Sequence, residues 1–299
     1  MTTLQQRMRE ELVRRDFSPS GMRTYLQAVD AFQKWAVKPL EEVGPDEMRR
    51  YHGHLLEERK LAKTTVVTQI SALRFLYVRV LKRRDMKEDL VYPKRPKQLP
   101  VVLSPEEVGR LIDSAKNLFH RAMLMTLYAA GLRRSELCRL KVANIDSQRM
   151  MLRIEQSKNR VDRDVPLSQE LLLTLREYWR WMRPKTYLIP GTVNNWRADK
   201  PITSKVIWEA VRDAKIKAGI QKRVSPHTLR HSYATHLLEG GAYLRTIQLL
   251  LGHADLSHTT RYLHLSQKHL QAAPNPLTQI KLSSTVNVAR SRKLQRYEE

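Results

Sequence analysis

The chain has 299 residues, enough for two domains with buried cores. Lys and Arg outnumber Asp and Glu by 54 to 30, a net charge of +24 with a pI of about 10.3, and so basic a balance points to a polyanionic partner, nucleic acid ahead of membrane. No run approaches the ~20 apolar residues of a membrane span, the polar start from Met1 to Arg15 is no secretory signal, and the lone Cys138, expected as a buried structural thiol, excludes an intrachain disulfide and a Cys-based zinc site, which fits a reducing cytoplasm.

Residues 1–92 read as helices only. Tyr25, Val29, Phe32 and Trp35 recur at helical spacing from Thr24 to Trp35. Gly44-Pro45-Asp46-Glu47 opens a second helix, with proline and acids in its first turn. Thr64 or Thr65 can cap a third, whose stripe is Val66, Ile70, Leu73, Tyr77 and Val80. Lys60, Lys63, Arg74, Arg79, Lys82, Arg83 and Arg84 surround that helix; a charge run is usually a solvated face, but the global charge tips this one towards phosphate contact. Residues 93–104 hold three prolines with Lys94, Arg95 and Lys97, and read as an extended basic linker between domains that can also lie along a DNA backbone.

Ser104-Pro105-Glu106-Glu107 is a capping box, followed by Val108, Leu111, Ile112 and Ala115 on one face. A helix from Arg121 to Ala130 ends at Gly131, and Ser135 or a neighbour starts the next. Arg133 therefore sits on a turn, with Glu136 spaced to orient it. Met150, Leu152 and Ile154 alternate as a half-buried strand does, Ser157-Lys158-Asn159-Arg160 is a polar turn, and Asp164-Val165-Pro166-Leu167 ends the return strand, so Lys158 rides near a hairpin tip. Gln169 to Arg183 reads as a helix burying Leu172, Leu175, Trp179 and Met182, and Arg183 to Pro201 as a loop. Thr203 or Ser204 caps a helix carrying Val206, Ile207, Ala210, Val211 and Ala214, which Gly219 ends.

The stretch from Ser225 to Leu265 holds six of the ten histidines. Ser225 and Pro226 suit the cap and first position of a helix, and His227 and Arg230 then share a face near a terminus that favours anions. A helical run continues to Leu251, Gly252 reads as its C-cap, and His253 sits just past it. Ser257 can cap another helix, with Tyr262 about one and a half turns in. Beyond Leu270, Pro274 and Pro276 break the chain and a basic tail runs to Glu299.

Arg133, Lys158, His227, Arg230, His253 and Tyr262 make chemical sense together. Cleaving a DNA phosphodiester without water needs a nucleophile, cationic clamps on the nonbridging oxygens, a base, and an acid for the leaving oxygen. Tyrosine, with a free pKa of ~10, needs neighbouring cations and a base. Two arginines hold phosphate oxygens in a planar fork that lysine cannot reproduce.

These motifs resemble the tyrosine recombinases, the phage-integrase family, and their compactness is Xer-like. Gly131-Leu132-Arg133-Arg134-Ser135-Glu136-Leu137 resembles the family's first arginine motif; Arg133 and Arg134 adjoin, either can supply the clamp, and the motif favours Arg133. Lys158 lies nine residues before Leu167 in a hairpin that ends Val-Pro-Leu, with Arg160 and Arg163 nearby. His227-Thr-Leu-Arg230-His231 resembles the second motif, and Leu251-Gly252-His253 with Tyr262 nine residues on resembles the third. The resemblance implies a mainly α fold with a small β-hairpin sheet, arranged as a two-domain C-shaped clamp: a helical, SAM-like core-binding domain over 1–92, the linker 93–104, a catalytic domain over 105–270 and a basic tail over 271–299. It implies that Tyr262 attacks the scissile phosphate to give a 3′-phosphotyrosyl link, Arg133 and Arg230 hold the phosphate, Lys158 protonates the leaving 5′ oxygen, His227 assists proton removal and His253 hydrogen-bonds the phosphate. Glu136 stands behind them, and His231, His236, His258 and His264 are structural. No metal or other cofactor is expected. DNA contacts are expected from Lys63, Arg74, Arg79, Lys94, Arg95 and Lys97. The partner is double-stranded DNA at a specific site, the chain being a monomer in free solution and a homotetramer on synapsed DNA that passes through a Holliday junction, in the cytoplasm and on the nucleoid. A type IB topoisomerase-like nicking and closing enzyme and a catalytically inactive DNA-binding protein are the alternatives; a zinc enzyme built on His227 and His231 lacks a completing ligand.

Overall fold

A computed structural model describes residues 3–94, 99–155, 162–193 and 196–263, and the side chains of 192–198 are left aside. The chain divides into two compact units, Met1–Gln98 and Leu99–Glu299.

The first unit is helical. It comprises α1 (Thr3–Arg14), α2 (Pro19–Ala36), α3 (Pro45–Gly53) and α4 (Lys63–Phe75). α2 begins five residues before the expected Thr24 because Ser18 Oγ accepts from the Gly21 N–H (3.1 Å) and Pro19 opens the first turn. α3 and α4 each run on into one π turn, His54–Glu58 and Leu76–Val80. The expected stripe Val66, Ile70, Leu73, Tyr77 and Val80 is buried along α4 and its π turn. Neither threonine caps α4; the helix starts at Lys63, after Ala62. Phe32, Met48, Tyr51 and Leu55 complete the core, and the buried Tyr77 hydroxyl donates to the Leu40 carbonyl at 2.8 Å.

The second unit sets helices around a small sheet. α5 (Pro105–Asp113) carries the expected capping box, with Ser104 N–H to Glu107 Oε2 at 2.8 Å. α6 (Leu118–Ala129) and α7 (Arg134–Arg139) follow. Strands β1 (Ile145–Asp146), β2 (Met151–Ile154) and β3 (Arg163–Pro166) form an antiparallel sheet in that order, pairing Leu152 with Val165 and Ile154 with Arg163. α8 (Gln169–Met182) buries Leu171, Leu172, Leu175 and Tyr178. The expected burial of Trp179 is corrected: the Tyr178 hydroxyl reaches the Leu188 carbonyl at 2.9 Å and Trp179 faces outward, 40% exposed, under the Arg183 guanidinium, while Met182 packs partly buried against the core. The expected loop over 183–201 contains a second hairpin, β4 (Pro190–Val193) and β5 (Trp196–Pro201), with Pro190 opposite Pro201 at its open end.

α9 (Ser204–Lys217) is preceded by Thr203, and α10 (Pro226–Glu239) is capped by Ser225 Oγ, which accepts from the Thr228 N–H at 3.3 Å. The expected single run to Leu251 is two helices, because Gly240 and Gly241 (φ 88°) end α10 before α11 (Leu244–Leu251) begins. Gly252 is the left-handed C-cap of α11, as the sequence suggests. α12 is a single turn, Ser257–Thr260, preceded by Leu256 rather than capped by Ser257, and Tyr262 lies just beyond it. Among the described residues no helix is long and apolar enough to cross a membrane.

Candidate active site

α10 carries little amphipathic pattern because it is packed on most sides: Leu229, Arg230, Ser232, Tyr233, Ala234, Thr235 and Leu238 are all buried. Its position delivers Arg230 into the interior and leaves His227, in the first turn, exposed at the surface.

A buried cation needs acceptors, and three arginines here find them on consecutive carbonyls at the end of α11. Arg163 Nε donates to Leu250 O (2.6 Å), an Arg230 terminal nitrogen to Leu251 O (2.6 Å), and an Arg133 terminal nitrogen to Gly252 O (3.2 Å). These carbonyls are the unpaired, partly negative end of a helix, so the arginines complete its hydrogen bonding and sit in its favourable field. Arg230 also reaches Gly131 O at 2.7 Å. Glu136 is the counter-charge. Its Oε1 accepts from Arg133 (2.7 Å), its Oε2 from the Arg133 backbone N–H (2.8 Å), and Arg163 bonds both oxygens (3.2 and 2.8 Å), with Arg230 at 3.7 Å. Burial alone would raise the Glu136 carboxyl; the Arg163 bonds and charge, the Arg133 amide and Arg230 outweigh it and hold the group at about 2. Burial and the nearby Arg133 pull Arg230 down to about 9, still charged at neutral pH. Three guanidiniums against one carboxylate leave a surplus of positive charge beside the cleft.

The cleft, about 270 Å³, is lined by Arg133, His227, Arg230, His231, Gly252, His253, Ala254, His258, Arg261 and Tyr262. Larger hollows, about 490 Å³ beside Leu4, Val37 and Leu40 and about 380 Å³ beside Leu172, Leu175 and Trp179, lack this concentration of cations and imidazoles, so chemistry rather than size singles out the smaller one. Tyr262 is 1% exposed, packed with Tyr233, Ala234, Leu238, Ile247 and Leu251. Burial raises its pKa, and Arg230, Arg261 and Arg133 oppose that rise. Its hydroxyl lies 3.0 Å from His231 Nδ1. His253 Nδ1 is 2.9 Å from Thr259 Oγ1, and the His253 carbonyl accepts from Gln248 Nε2 at 3.1 Å. Burial first, then Arg230 and Arg133, lower His253 to about 3, so it is neutral in the physiological range. Partial desolvation, then Arg230, Arg134 and Arg133, lower His227 as well.

Five of the six residues singled out in the sequence thus meet: Arg133, His227, Arg230, His253 and Tyr262 line one cleft, with Glu136 behind them. Lys158, Arg160, His264 and the tail lie outside the described residues. Of the adjoining pair, Arg133 lines the cleft, whereas Arg134 is exposed and not part of that lining. His231, expected to be structural, lines the cleft with its Nδ1 3.0 Å from the Tyr262 hydroxyl. His236 is tied between the Tyr128 hydroxyl and Leu103 O, at 2.8 and 2.9 Å. The sequence marks Arg163 only as a neighbour of Lys158; the β3 alternation puts it on the inward face with Val165. Of the expected DNA contacts, Lys63, Arg79 and Lys94 are exposed, Arg74 lies 5.4 Å over the Tyr92 ring, and Arg95 and Lys97 lie outside the described residues. Cys138 is buried, its Sγ 3.8 Å from Ser204 Oγ. Among the described residues no group of three His, Cys, Asp or Glu is placed to hold a metal ion.

Residues 101–269 match the family model described as "Phage integrase family", and residues 4–86 match "Phage integrase, N-terminal SAM-like domain". A putative integrase/recombinase y4qK of Sinorhizobium fredii is 44% identical, over 92% of this chain and 89% of its own. Tyrosine recombinase XerD of Chlorobaculum tepidum is 34% identical, over 86% of this chain and 90% of its own. In fold, the chain is similar to a lambda integrase solved as a tetramer bound to a Holliday junction (TM-score 0.67, 18% identity, 95% of this chain and 79% of that one). The chain belongs to the phage integrase family. Within it, the protein is an enzyme of DNA recombination, a tyrosine-type site-specific recombinase.

Proposed function

We propose that this recombinase cuts and rejoins DNA through a covalent 3′-phosphotyrosyl link to Tyr262 and exchanges strands through a Holliday junction. The observation that carries the reading is the convergence of Arg133 and Arg230 on the cleft that Tyr262 lines. In this scheme the Tyr262 oxygen bonds to phosphorus, the bond from phosphorus to the 5′ oxygen breaks, and Lys158 supplies that oxygen with a proton. Arg133 and Arg230, already held on carbonyls and on Glu136, meet the growing charge on the nonbridging oxygens without reorganising. Neutral His253 offers a hydrogen bond to the same oxygens, and His227, at the rim, serves proton movement. The phosphotyrosyl bond conserves the phosphodiester energy, so a 5′ hydroxyl from another strand can reverse the step.

In the same reading residues 1–92 and the linker 93–104 grip the DNA, 105–270 carry the chemistry, and 271–299 serve contacts between protomers. The matches to the SAM-like and integrase models support that division, and the likeness to lambda integrase supports a tetramer on synapsed double-stranded DNA. Such an enzyme works where the chromosome lies, in the cytoplasm. The test is a nicked suicide substrate, whose cleaved end diffuses away and traps the adduct. Wild-type protein is expected to give a protein–DNA band that survives denaturing electrophoresis, and Tyr262→Phe to bind the DNA without forming it. A trapped band from Tyr262→Phe would show that another residue is the nucleophile.

A further inference from the structure

Among the described residues the polar group hydrogen-bonded to the phenol of Tyr262 is His231, not His227, to which the resemblance assigns the proton. The phenolic oxygen lies 3.0 Å from His231 Nδ1, with ring centroids 5.8 Å apart. His227 instead stacks on His231, its ring 6.4 Å from that of His231 at 30°. His231 is half-buried and His227 exposed. Rings four apart on α10 therefore run from the surface to the nucleophile.

We propose that His231 is the base that removes the Tyr262 proton during attack, with His227 as the outer group that passes it to solvent. This rests on the cleavage reading above. The O–H bond of Tyr262 breaks and its proton goes to Nδ1 of His231; the phenolic oxygen bonds to phosphorus; the 5′ oxygen leaves with its electron pair and takes a proton from Lys158. For His231 to accept at Nδ1, its neutral ring carries hydrogen on Nε2. Burial first, then His227, Arg261 and Arg230, keep it neutral, at about 4, so the acceptor is ready throughout the neutral range. The field that lowers it comes from α10 and from the segment after α12; Arg133, His253 and His258 line the same cleft. A phosphodiester between Arg133 and Arg230 brings a negative charge into that field. It offsets the cations that disfavour imidazolium and moves His231 towards the range in which a base is effective. Proton removal is thereby strongest when substrate is bound.

The experiment is single-turnover cleavage of the suicide substrate between about pH 6 and 9, a range chosen to span the ordinary pKa of histidine, by wild-type protein and His231→Gln, with DNA binding measured by gel shift. His231→Gln is expected to bind as wild type and to cleave about a hundredfold more slowly at neutral pH. Its rate should climb about tenfold per pH unit, because the phenolate must now form on its own, while the wild-type rate levels off. A substrate with sulfur at the 5′ bridging position, which leaves without a proton, should not restore it. If His231→Gln fails to bind DNA, His231→Asn is measured in the same way. A variant that binds DNA and cleaves at the wild-type rate or faster, or that the sulfur substrate rescues, overturns the proposal. If wild-type protein forms no adduct at all, the cleavage reading falls and takes this one with it; an adduct from wild type with an unaltered His231→Gln profile overturns this one alone.

Discussion

Glu136 shows how much of the site's stability rests on one side chain. It is almost fully buried among three guanidiniums, and its carboxyl is held at about 2 against an ordinary 4.5. A carboxyl whose folded pKa is depressed stabilises the fold above its unfolded pKa and loses that contribution as pH falls through the folded value. The window is therefore about pH 4.5 down to 2, and the contribution is roughly 3 kcal/mol. Glu136→Gln removes the counter-charge and leaves the buried Arg163 and Arg230 without it; a loss of about 3–5 kcal/mol is expected, with a flatter acid limb. Urea unfolding at several pH values checks both, and an unchanged acid limb would place the linkage elsewhere. At this scale the sequence is uneven. Arg133 and Glu136 are legible because they sit three apart at a helix start, where the contact is local. His231 and Arg163 are not, because each acts on a group far along the chain. His231 meets a tyrosine 31 residues on, and Arg163 meets the carbonyl of Leu250, 87 residues on. Helical spacing shows that His227 and His231 share a face, and only tertiary packing decides which of them reaches the phenol.

Some helix ends that carry their own local signals are read correctly, whereas those expected at Thr64 or Thr65 and at Ser257 are not. Ser104, Ser225 and Gly252 mark helix termini by hydrogen bonds or a left-handed backbone that depend on nearby residues alone. The β4–β5 hairpin is hidden in the sequence because prolines, glycine and asparagines read as loop, yet proline at a strand end does not prevent pairing. In α8 the pattern favours Trp179 as core, but Tyr178 beside it is the side chain that finds a buried carbonyl. The turn after α6 shows how backbone geometry supports the clamp. Gly131 has φ +55°, its carbonyl accepts from Arg230, and a Cβ there would meet the Tyr233 ring, with Cε1 at 2.7 Å. Gly131→Ala should therefore cost about 1–2 kcal/mol for the left-handed backbone and about 1–3 more for overpacking. Displacing its carbonyl should also slow cleavage without abolishing DNA binding. Gly219→Ala is the control: φ is +66°, but nothing lies within 4 Å of the added carbon, so about 1 kcal/mol and unchanged cleavage are expected. Urea unfolding and the suicide substrate give both readouts, and equal losses in the two variants would mean that Tyr233 yields freely.

Over the whole chain, 54 basic residues face 30 acidic ones, and the structure divides the basic side chains into committed and available groups. In the first unit Arg83 donates to the carbonyls of Glu41 and Val43 and pairs with Asp85, so it staples the fold. Arg79, on the π turn after α4, is exposed and has no ion-pair partner among the described residues. Both arginines belong to the same run in the sequence, and charge counting cannot separate them. Salt dependence can. Each phosphate that a cation neutralises contributes about one to the slope of log affinity against log salt. Arg79→Ala should lower that slope by about one and weaken specific and nonspecific DNA alike. Arg83→Ala should leave the slope unchanged while lowering the stability of the first unit, since it removes a donor from two carbonyls rather than from the nucleic acid. Filter binding of the full chain across a salt series, beside urea unfolding, separates these outcomes. If Arg79→Ala leaves the slope unchanged, that arginine belongs to a solvated face, and the phosphate contacts of the first unit must come from other cations, with Lys63 and Lys94 the next to test, both exposed and joined through the Lys94 carbonyl at 3.3 Å.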